Sequence, residues 1–311
     1  MDNVTGSSAL KTHQSRRPAL FSHFLFLILV LGTVFLPNSV KVSSSIPFLI
    51  LIVLIEAAVL ISRKSRSAQD IAVILYLLLI FWEAGTAKFS TAKIYLLPPP
   101  QDVFQIFISD SRLILQGIVS SIQLLLIGFA FSIVLGVGLG IIVGWNVHMR
   151  EILLPIAKVL TPIPPLIYTP YAIVLLPSFR SASVFIIFCA VFWGLFLSMV
   201  HTVAGMNQKL LDSAKTLNIG PTTMFFQILL PYCLPTIKTR LSFSLSAAFM
   251  VLISAEMIGG QVGVGWYVKY STDFGDYTKV IAGIFLVAFL VTVINWGIKR
   301  LTRILIPWQE K

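Results

Sequence analysis

Eight apolar runs set the limits on what this chain can fold into. They are Leu20–Leu36, Ile46–Ile61, Ile71–Gly85, Ser121–Gly144, Leu153–Leu176, Ala182–Met199, Ile237–Ile258 and Val280–Ile298. A helix crosses a bilayer core about 30 Å thick with roughly 20 apolar residues. A helix is required because no water is present there to satisfy open backbone groups. Only 11% of the 311 residues are charged, under half of the roughly 25% of a soluble domain. The predicted fold is therefore an all-α integral membrane protein with the lipid bilayer as its solvent. Leu20–Leu36 also resembles a signal peptide in place and polarity. Its length and the lack of a small-residue cleavage site before Pro37 favour a retained helix.

Eight crossings put both termini on one side. Lys and Arg gather on the cytoplasmic side of membrane proteins. With the N-terminus inside, Lys11, Arg16, Arg17, Arg63, Lys64, Arg66, Lys209, Lys215, Lys299, Arg300 and Arg303 all fall inside. The expected location is the cell membrane, multi-pass, with both termini cytoplasmic and residues 1–19 as a cytoplasmic tail. The net charge of +11 is thus read as topology. No basic run interleaves with aromatics, as a nucleic-acid groove would require. Cys189 and Cys233 lie in or beside apolar runs and read as buried small residues. His13, His23, His148 and His201 lie near ends or loops, and none forms a His/Glu pair at metal spacing. No catalytic residue, metal site or cofactor site is assigned, and no Walker A sequence for ATP is present.

Some runs are irregular. Gly136, Gly140 and Gly144, four apart, give one helix a smooth face that a second helix can approach. The fifth run is interrupted by Pro155, Pro162, Pro164, Pro165 and Pro170. Each removes a backbone donor and disfavours helix before it. Such a break either lines a transport path, as in many transporters, or simply kinks a packing helix. Pro164, Pro165 and Tyr168 are the path candidates there. Three acids fall in apolar runs, where an ionisable group is costly. Glu83 is placed near a helix end, reaching the interface. Glu56 is expected to pair with Arg63 or to snorkel. Glu256, followed by Gly259 and Gly260, either caps freed backbone N–H groups at the glycine break or contacts a substrate. Glu256 and Gly259 complete the set of path candidates.

One polar island stands in the apolar background, Asn207–Pro231. Leu210, Ala214 and Leu217 recur at helical spacing. Asn207 is placed to cap the helix. Asp212 and Lys215 sit three apart on the polar side. Asn218 offers a left-handed stop, and Gly220-Pro221 completes the break. On these grounds alone the helix could rest at the membrane surface with no partner.

The island also resembles the "EAA" coupling loop of ABC-importer permeases: Glu-Ala-Ala, three residues, Gly, nine residues, Ile-x-Leu-Pro. Here the pattern falls on Asp212-Ser213-Ala214, Asn218, Ile228, Leu230 and Pro231 with every spacing kept. Asp replaces Glu, and Asn replaces Gly. Other marks are similar to the nitrate/sulfonate/taurine branch of type I importers: Phe81-Trp82-Glu83, Leu97-Pro98-Pro99-Pro100, Ser121 to Phe129, Ile163-Pro164-Pro165, Ala255-Glu256-Met257, Gly263-Val264-Gly265-Trp266 and Pro307-Trp308. Leu175-Leu176-Pro177 departs from the branch's Trp-Phe-Gly-like element.

The resemblance implies a six-helix permease core over residues 67–311, most typical at 113–300. Residues 20–66 are two additional helices, expected to be peripheral, and 205–231 is the cytoplasmic coupling loop. It further implies a homodimer or pseudo-dimer of permeases, two cytoplasmic ATPases that use ATP and Mg, and an extracytoplasmic solute-binding protein. Leu210, Asp212, Ser213, Ala214, Lys215, Leu217, Asn218 and Gly220 would meet the ATPase, with Leu210, Ala214 and Leu217 as the buried face. The implied cargo is a nitrate-, sulfonate- or taurine-like solute, or a vitamin precursor. Two other classes compete. An ion-coupled secondary transporter would use Glu256 as a relay but leaves the island unexplained. An intramembrane enzyme lacks a nucleophile–base pair.

Overall fold

A computed structural model describes residues 6–62, 65–89 and 96–305, with side chains from Phe21 to Arg300 apart from Lys215, Ser242 and Lys299 within those ranges. Arg63, Lys64, Lys93 and Pro307-Trp308 lie outside the described residues. In chain order the helices are α1 (Gly6–Phe35), α2 (Ile46–Ile61), α3 (Arg66–Glu83), α4 (Pro100–Ser109), α5 (Ser111–Trp145), α6 (Val147–Leu160) and α7 (Thr169–Leu175). There follow α8 (Phe179–Ala204), α9 (Gln208–Thr216), α10 (Pro221–Thr223), α11 (Leu230–Gly259), α12 (Val264–Asp273) and α13 (Tyr277–Leu305). Wide-wound π-helical turns at Ala84–Lys88 and Met224–Leu229 extend α3 and lead into α11. No strand occurs among the described residues.

Four segments are long and apolar enough to cross a membrane: Arg66–Lys88, Ser111–Trp145, Phe179–Ala204 and Tyr277–Ile298. Two bent pairs join them, Val147–Leu160 with Pro165–Leu175 and Pro221–Leu241 with Phe243–Gly259. Phe21–Phe35 and Ile46–Ile61 are shorter apolar helices. This is the expected six-plus-two arrangement. Many large apolar side chains stay exposed, Val134 at 69% and Val174 at 83% among them, as suits a surface facing lipid.

The chain packs as two units. The first comprises the residues up to Arg112 together with Ser271–Ala282; the second comprises Leu113–Tyr270 and the residues from Gly283 on. A packing boundary thus falls after Arg112. The two additional helices belong to the same unit as α3 and α4. Leu25, Leu29, Phe48, Ile52, Ala72 and Tyr76 form its core. The rings of Phe48 and Phe104 stack with centroids 5.8 Å apart.

Two buried carboxylates tie this unit together, and both correct the sequence expectation. Glu56 pairs with His23 on α1 and accepts from the Tyr76 hydroxyl on α3 at 2.8 Å; it does not snorkel. His23 is mid-helix, not near an end. Glu83 is 3% exposed and does not reach the interface. It accepts from Thr33 Oγ1 at 2.9 Å and Gln101 Nε2 at 2.8 Å, with Lys88 Nζ at 3.7 Å. A charge inside an apolar bundle persists only when its lone pairs are satisfied in this way.

In the second unit α5 lies against α8 along a seam of small residues four apart: Gly128, Ser132, Gly136, Gly140 and Gly144. A Cβ added at Gly140 would lie 2.7 Å from Met199 Cβ, and one at Gly144 2.9 Å from Val203 Cβ. At Gly128 the Ile187 side chain would be 2.8 Å away. Ser132 Oγ donates to Gly128 O at 2.7 Å and also reaches Phe188 O at 3.3 Å. The glycines are packing devices, as expected, and the seam runs farther than the three sequence positions.

Partner numbers rise together along the seam, so α5 and α8 run parallel. The chain between them must therefore return across the unit. The bent pair α6 and α7 makes that return, turning by 84° at Thr161–Pro164. The break falls at the predicted Pro162–Pro165 cluster. Pro155, by contrast, is carried inside α6, and Pro170 lies in the first turn of α7, where a proline costs least.

Candidate functional site

The polar island folds as predicted in outline. Asn207 Oδ1 accepts from the Lys209 N–H at 2.9 Å, capping α9. Along its exposed side Gln208 Nε2 donates to Asp212 Oδ1 at 3.2 Å. Ser213 Oγ donates back to the Lys209 carbonyl at 2.8 Å. The helix stops at Asn218, whose φ of 53° is the one positive value at a non-glycine residue among those described. Asn tolerates this left-handed geometry better than most side chains. Gly220 has an ordinary φ of −66°, so its place is not one that requires glycine. Pro221 then opens α10 and the chain re-enters the bundle.

The face of α9 differs from expectation. Ala214 is 4% exposed and packs inside this chain, in a cluster with Met206, Met224, Leu229 and Cys233. Leu211 packs against the same cluster. Leu210 and Leu217 point away and are 52% and 74% exposed. Ala214 therefore anchors α9 to the rest of this chain and does not share an outward surface with the two leucines. Helical spacing puts residues on a common stripe, but the stripe is wide enough to be divided between two neighbours. The Lys215 side chain lies outside the described residues.

The path candidates separate. Glu256 is 1% exposed and lines no open route in this structure. Its Oε1 accepts from Ser121 Oγ at 2.6 Å, and its Oε2 from the Gly265 N–H at 2.8 Å. Ser121 Oγ in turn accepts from the Val264 N–H at 3.0 Å. The carboxylate and hydroxyl together satisfy the opening N–H groups of α12 and fasten α12 and α11 to α5. The freed groups are those of Val264 and Gly265, not those of the Gly259–Gly260 break. Backbone fits closely around the carboxylate. A Cβ at Gly263, where φ is +144°, would sit 2.4 Å from Glu256 Cδ. Gly259 serves another contact: a Cβ there would lie 2.7 Å from Ile173 Cδ1 of α7. Pro164 is exposed at the proline break, with Pro165 and Tyr168 half-buried beside it. Ser121, Gly263 and Gly265 gained no role from sequence: Ser121 lies 135 residues from Glu256, and Gly263 and Gly265, though close to it in the chain, meet its carboxylate only because the chain turns back between α11 and α12.

Two cavities open in the second unit. One, of about 640 Å³, is walled by the start of α5, the start of α8 and the link before α12. The other, of about 260 Å³, lies at the far end of α8, with His201, Thr202, Thr236 and Arg240 in its wall. No group of three or more His, Cys, Asp or Glu that could hold a metal occurs among the described residues.

In chain order there are six spans or bent pairs, with an ordered polar loop between the fourth and fifth and a proline break in the third, the arrangement of a multi-pass membrane permease. Residues 132–309 match the family described as binding-protein-dependent transport system inner membrane component, and the chain belongs to that family. It is similar to the taurine transport system permease protein TauC of Escherichia coli (strain K12), 26% identical over 77% of this chain and 89% of the relative. It is also similar to the nitrate import permease protein NrtB of Leptolyngbya laminosa, 27% identical over 62% and 70%. Among solved structures it resembles a chain of the MetNI methionine ABC transporter, with a TM-score of 0.52 at 16% identity, covering 63% of this chain and 97% of that one. That likeness bears on the fold alone. The chain is thus a multi-pass permease subunit of the nitrate/sulfonate/taurine branch of type I ABC importers.

Proposed function

We propose that the chain carries a nitrate-, sulfonate- or taurine-like solute inward as one of a pair of permeases, identical or related. Two ATPase subunits bind the polar loop and use ATP and Mg, and an extracytoplasmic binding protein delivers the solute. Both termini then lie in the cytoplasm with the loop. A vitamin precursor is the alternative cargo.

The observation that carries this reading is the division of α9. Ala214 and Leu211 hold the helix to the rest of the chain on one side, while Leu210 and Leu217 stay uncovered. A short helix clamped on one face and apolar on the other is built to transmit a push from a partner. The relay expected of a secondary transporter gains no support, because both Glu256 oxygens are already engaged.

Reconstitution tests the proposal. The permease, its ATPase and its binding protein in sealed vesicles should take up labelled solute only with ATP and Mg inside the ATPase compartment. Uptake driven by a proton gradient without ATP would refute it. Loss of ATPase co-purification in Leu210→Ser/Leu217→Ser, with the permease still folded, is the expected companion result.

A further inference from the structure

We propose that the smaller cavity of the second unit is a binding site for a hydrogen-phosphate group, one that carries negative charge and keeps an O–H. Six polar side chains stand in its wall: Thr161 from the end of α6, Ser198, His201 and Thr202 from α8, and Thr236 and Arg240 from α11. No acid is among them. At about 260 Å³ the cavity is smaller than the roughly 300–1,000 Å³ of a site for drug-sized ligands. It has room for one small ion or one headgroup.

The hydroxyls decide what the ligand must bring. Thr161 Oγ1 donates to the Ala157 carbonyl at 2.7 Å, and Ser198 Oγ to the Gly194 carbonyl at 2.8 Å. Thr202 Oγ1 donates to the Ser198 carbonyl at 2.8 Å and reaches Thr236 Oγ1 at 3.2 Å. A hydroxyl has one hydrogen and two lone pairs, so these three have only lone pairs left to offer. The other three side chains offer donors. Thr236 accepts from Thr202 and keeps its own hydrogen. Among the described residues no hydrogen bond or ion pair engages the His201 ring or the Arg240 guanidinium. A wall that combines an unpaired guanidinium with bare acceptors is completed by an anion that also donates.

That requirement separates the oxyanions. Nitrate, sulfate and sulfonates hold no proton near neutral pH and would set oxygen lone pairs against those of the wall. Orthophosphate keeps at least one O–H there, and a monoester, whose last proton leaves at about pH 6, can enter with one. The Arg240 fork takes two phosphate oxygens, His201 or Thr236 a third, and the O–H serves the acceptors of α6 and α8. Bicarbonate has the proton but one oxygen too few. Free phosphate and the phosphatidate headgroup both supply the group, and a basic pocket between membrane helices suits either.

The location gives the site a use. Thr161 stands at the break between α6 and α7, and Arg240 directly before the bend between Leu241 and Phe243. A phosphate that joins them braces both bends at once. This purpose rests on the importer reading; the chemistry rests on the cavity alone.

The test is equilibrium binding of labelled orthophosphate to the full chain in phosphatidylcholine nanodiscs near neutral pH. Wild type should bind it at least about tenfold more tightly than sulfate or bicarbonate, and Arg240→Gln should weaken it by about tenfold or more. Arg240→Lys, which keeps the charge but not the fork, should lose about threefold. Thr161→Val, which keeps the shape but removes an acceptor, should weaken phosphate by about threefold and leave sulfate within about twofold. It keeps the test decisive if Arg240→Gln misfolds. Adding phosphatidate to the nanodisc separates the sources: a loss of orthophosphate binding of about tenfold assigns the site to the lipid headgroup, and a change under about twofold assigns it to free phosphate. The chemistry stands in both cases. Sulfate or bicarbonate binding as tight as phosphate, no saturable phosphate binding, or equal binding by wild type and Arg240→Gln overturns the proposal. ATP-driven uptake by the whole complex is scored separately. Saturating phosphate on the ATPase side should slow wild-type uptake by about twofold and spare Arg240→Gln. Uptake indifferent to bound phosphate sinks the brace alone. Phosphate binding with no ATP-driven uptake sinks the importer reading alone.

Discussion

Glu256 gives the sharpest test of how the second unit is held together. Its carboxylate accepts from two buried donors, the Ser121 hydroxyl and the Gly265 N–H. Leaving one such donor unpaired costs about 1–3 kcal/mol. Glu256→Ala strands both, so a loss of about 2–6 kcal/mol is expected from two such terms. Glu256→Gln keeps one carbonyl oxygen and the side-chain length. It can still accept from the Gly265 N–H, and its NH₂ can turn toward the second lone pair of Ser121. One donor is then stranded, and the loss falls to about 1–3 kcal/mol. The assay is SDS-induced unfolding in mixed micelles, paired with transport in vesicles. The expected order of stability is wild type, then Gln, then Ala, with transport following the same order. Wild-type stability in both variants with transport abolished in both would refute this account, because the charge itself would then serve transport.

Asn218→Gly should leave stability within about 0.5 kcal/mol, since Gly takes positive φ freely, whereas Asn218→Val should cost about 1–3 kcal/mol by backbone strain and reduce ATPase co-purification. Ala214→Trp should destabilise the permease itself by about 1–3 kcal/mol through overpacking, visible as a lowered midpoint of SDS unfolding with no ATPase present. Removing residues 1–65 should reduce the yield of folded protein on gel filtration, because Tyr76 and Glu83 lose the partners that α1 and α2 supply; Thr33→Val, which removes one hydrogen bond to Glu83, should cost about 1.5–3 kcal/mol.

The spans were legible because an apolar run is a local property. So were the Asn207 cap and the left-handed Asn218, each fixed by a residue's own stereochemistry. The partners of the buried acids were not. Glu256 meets Ser121 across 135 residues and Glu83 meets Thr33 across 50. Such pairings depend on which helices pack together, and periodicity within one helix carries no record of that. The same limit explains Ala214. Its spacing placed it with Leu210 and Leu217 on one stripe, but only the position of Met206, Met224 and Cys233 decides which part of the stripe the permease claims. It also explains the added helices, which fall outside the resemblance yet supply His23 and Thr33 to the first unit.

The seam between α5 and α8 works as a rack. Its notches recur every four residues, about 6 Å along the axis at 1.5 Å per residue, and Ile187, Leu195, Met199 and Val203 are the teeth that fill them. A slide of half a notch would drive every tooth into backbone at once, and a slide of a whole notch would empty one end of the rack. The two helices therefore behave as a single lever with no gliding freedom along their length. Whatever movement alternates access in the second unit must swing that lever bodily or flex the chain where it is already bent, between α6 and α7.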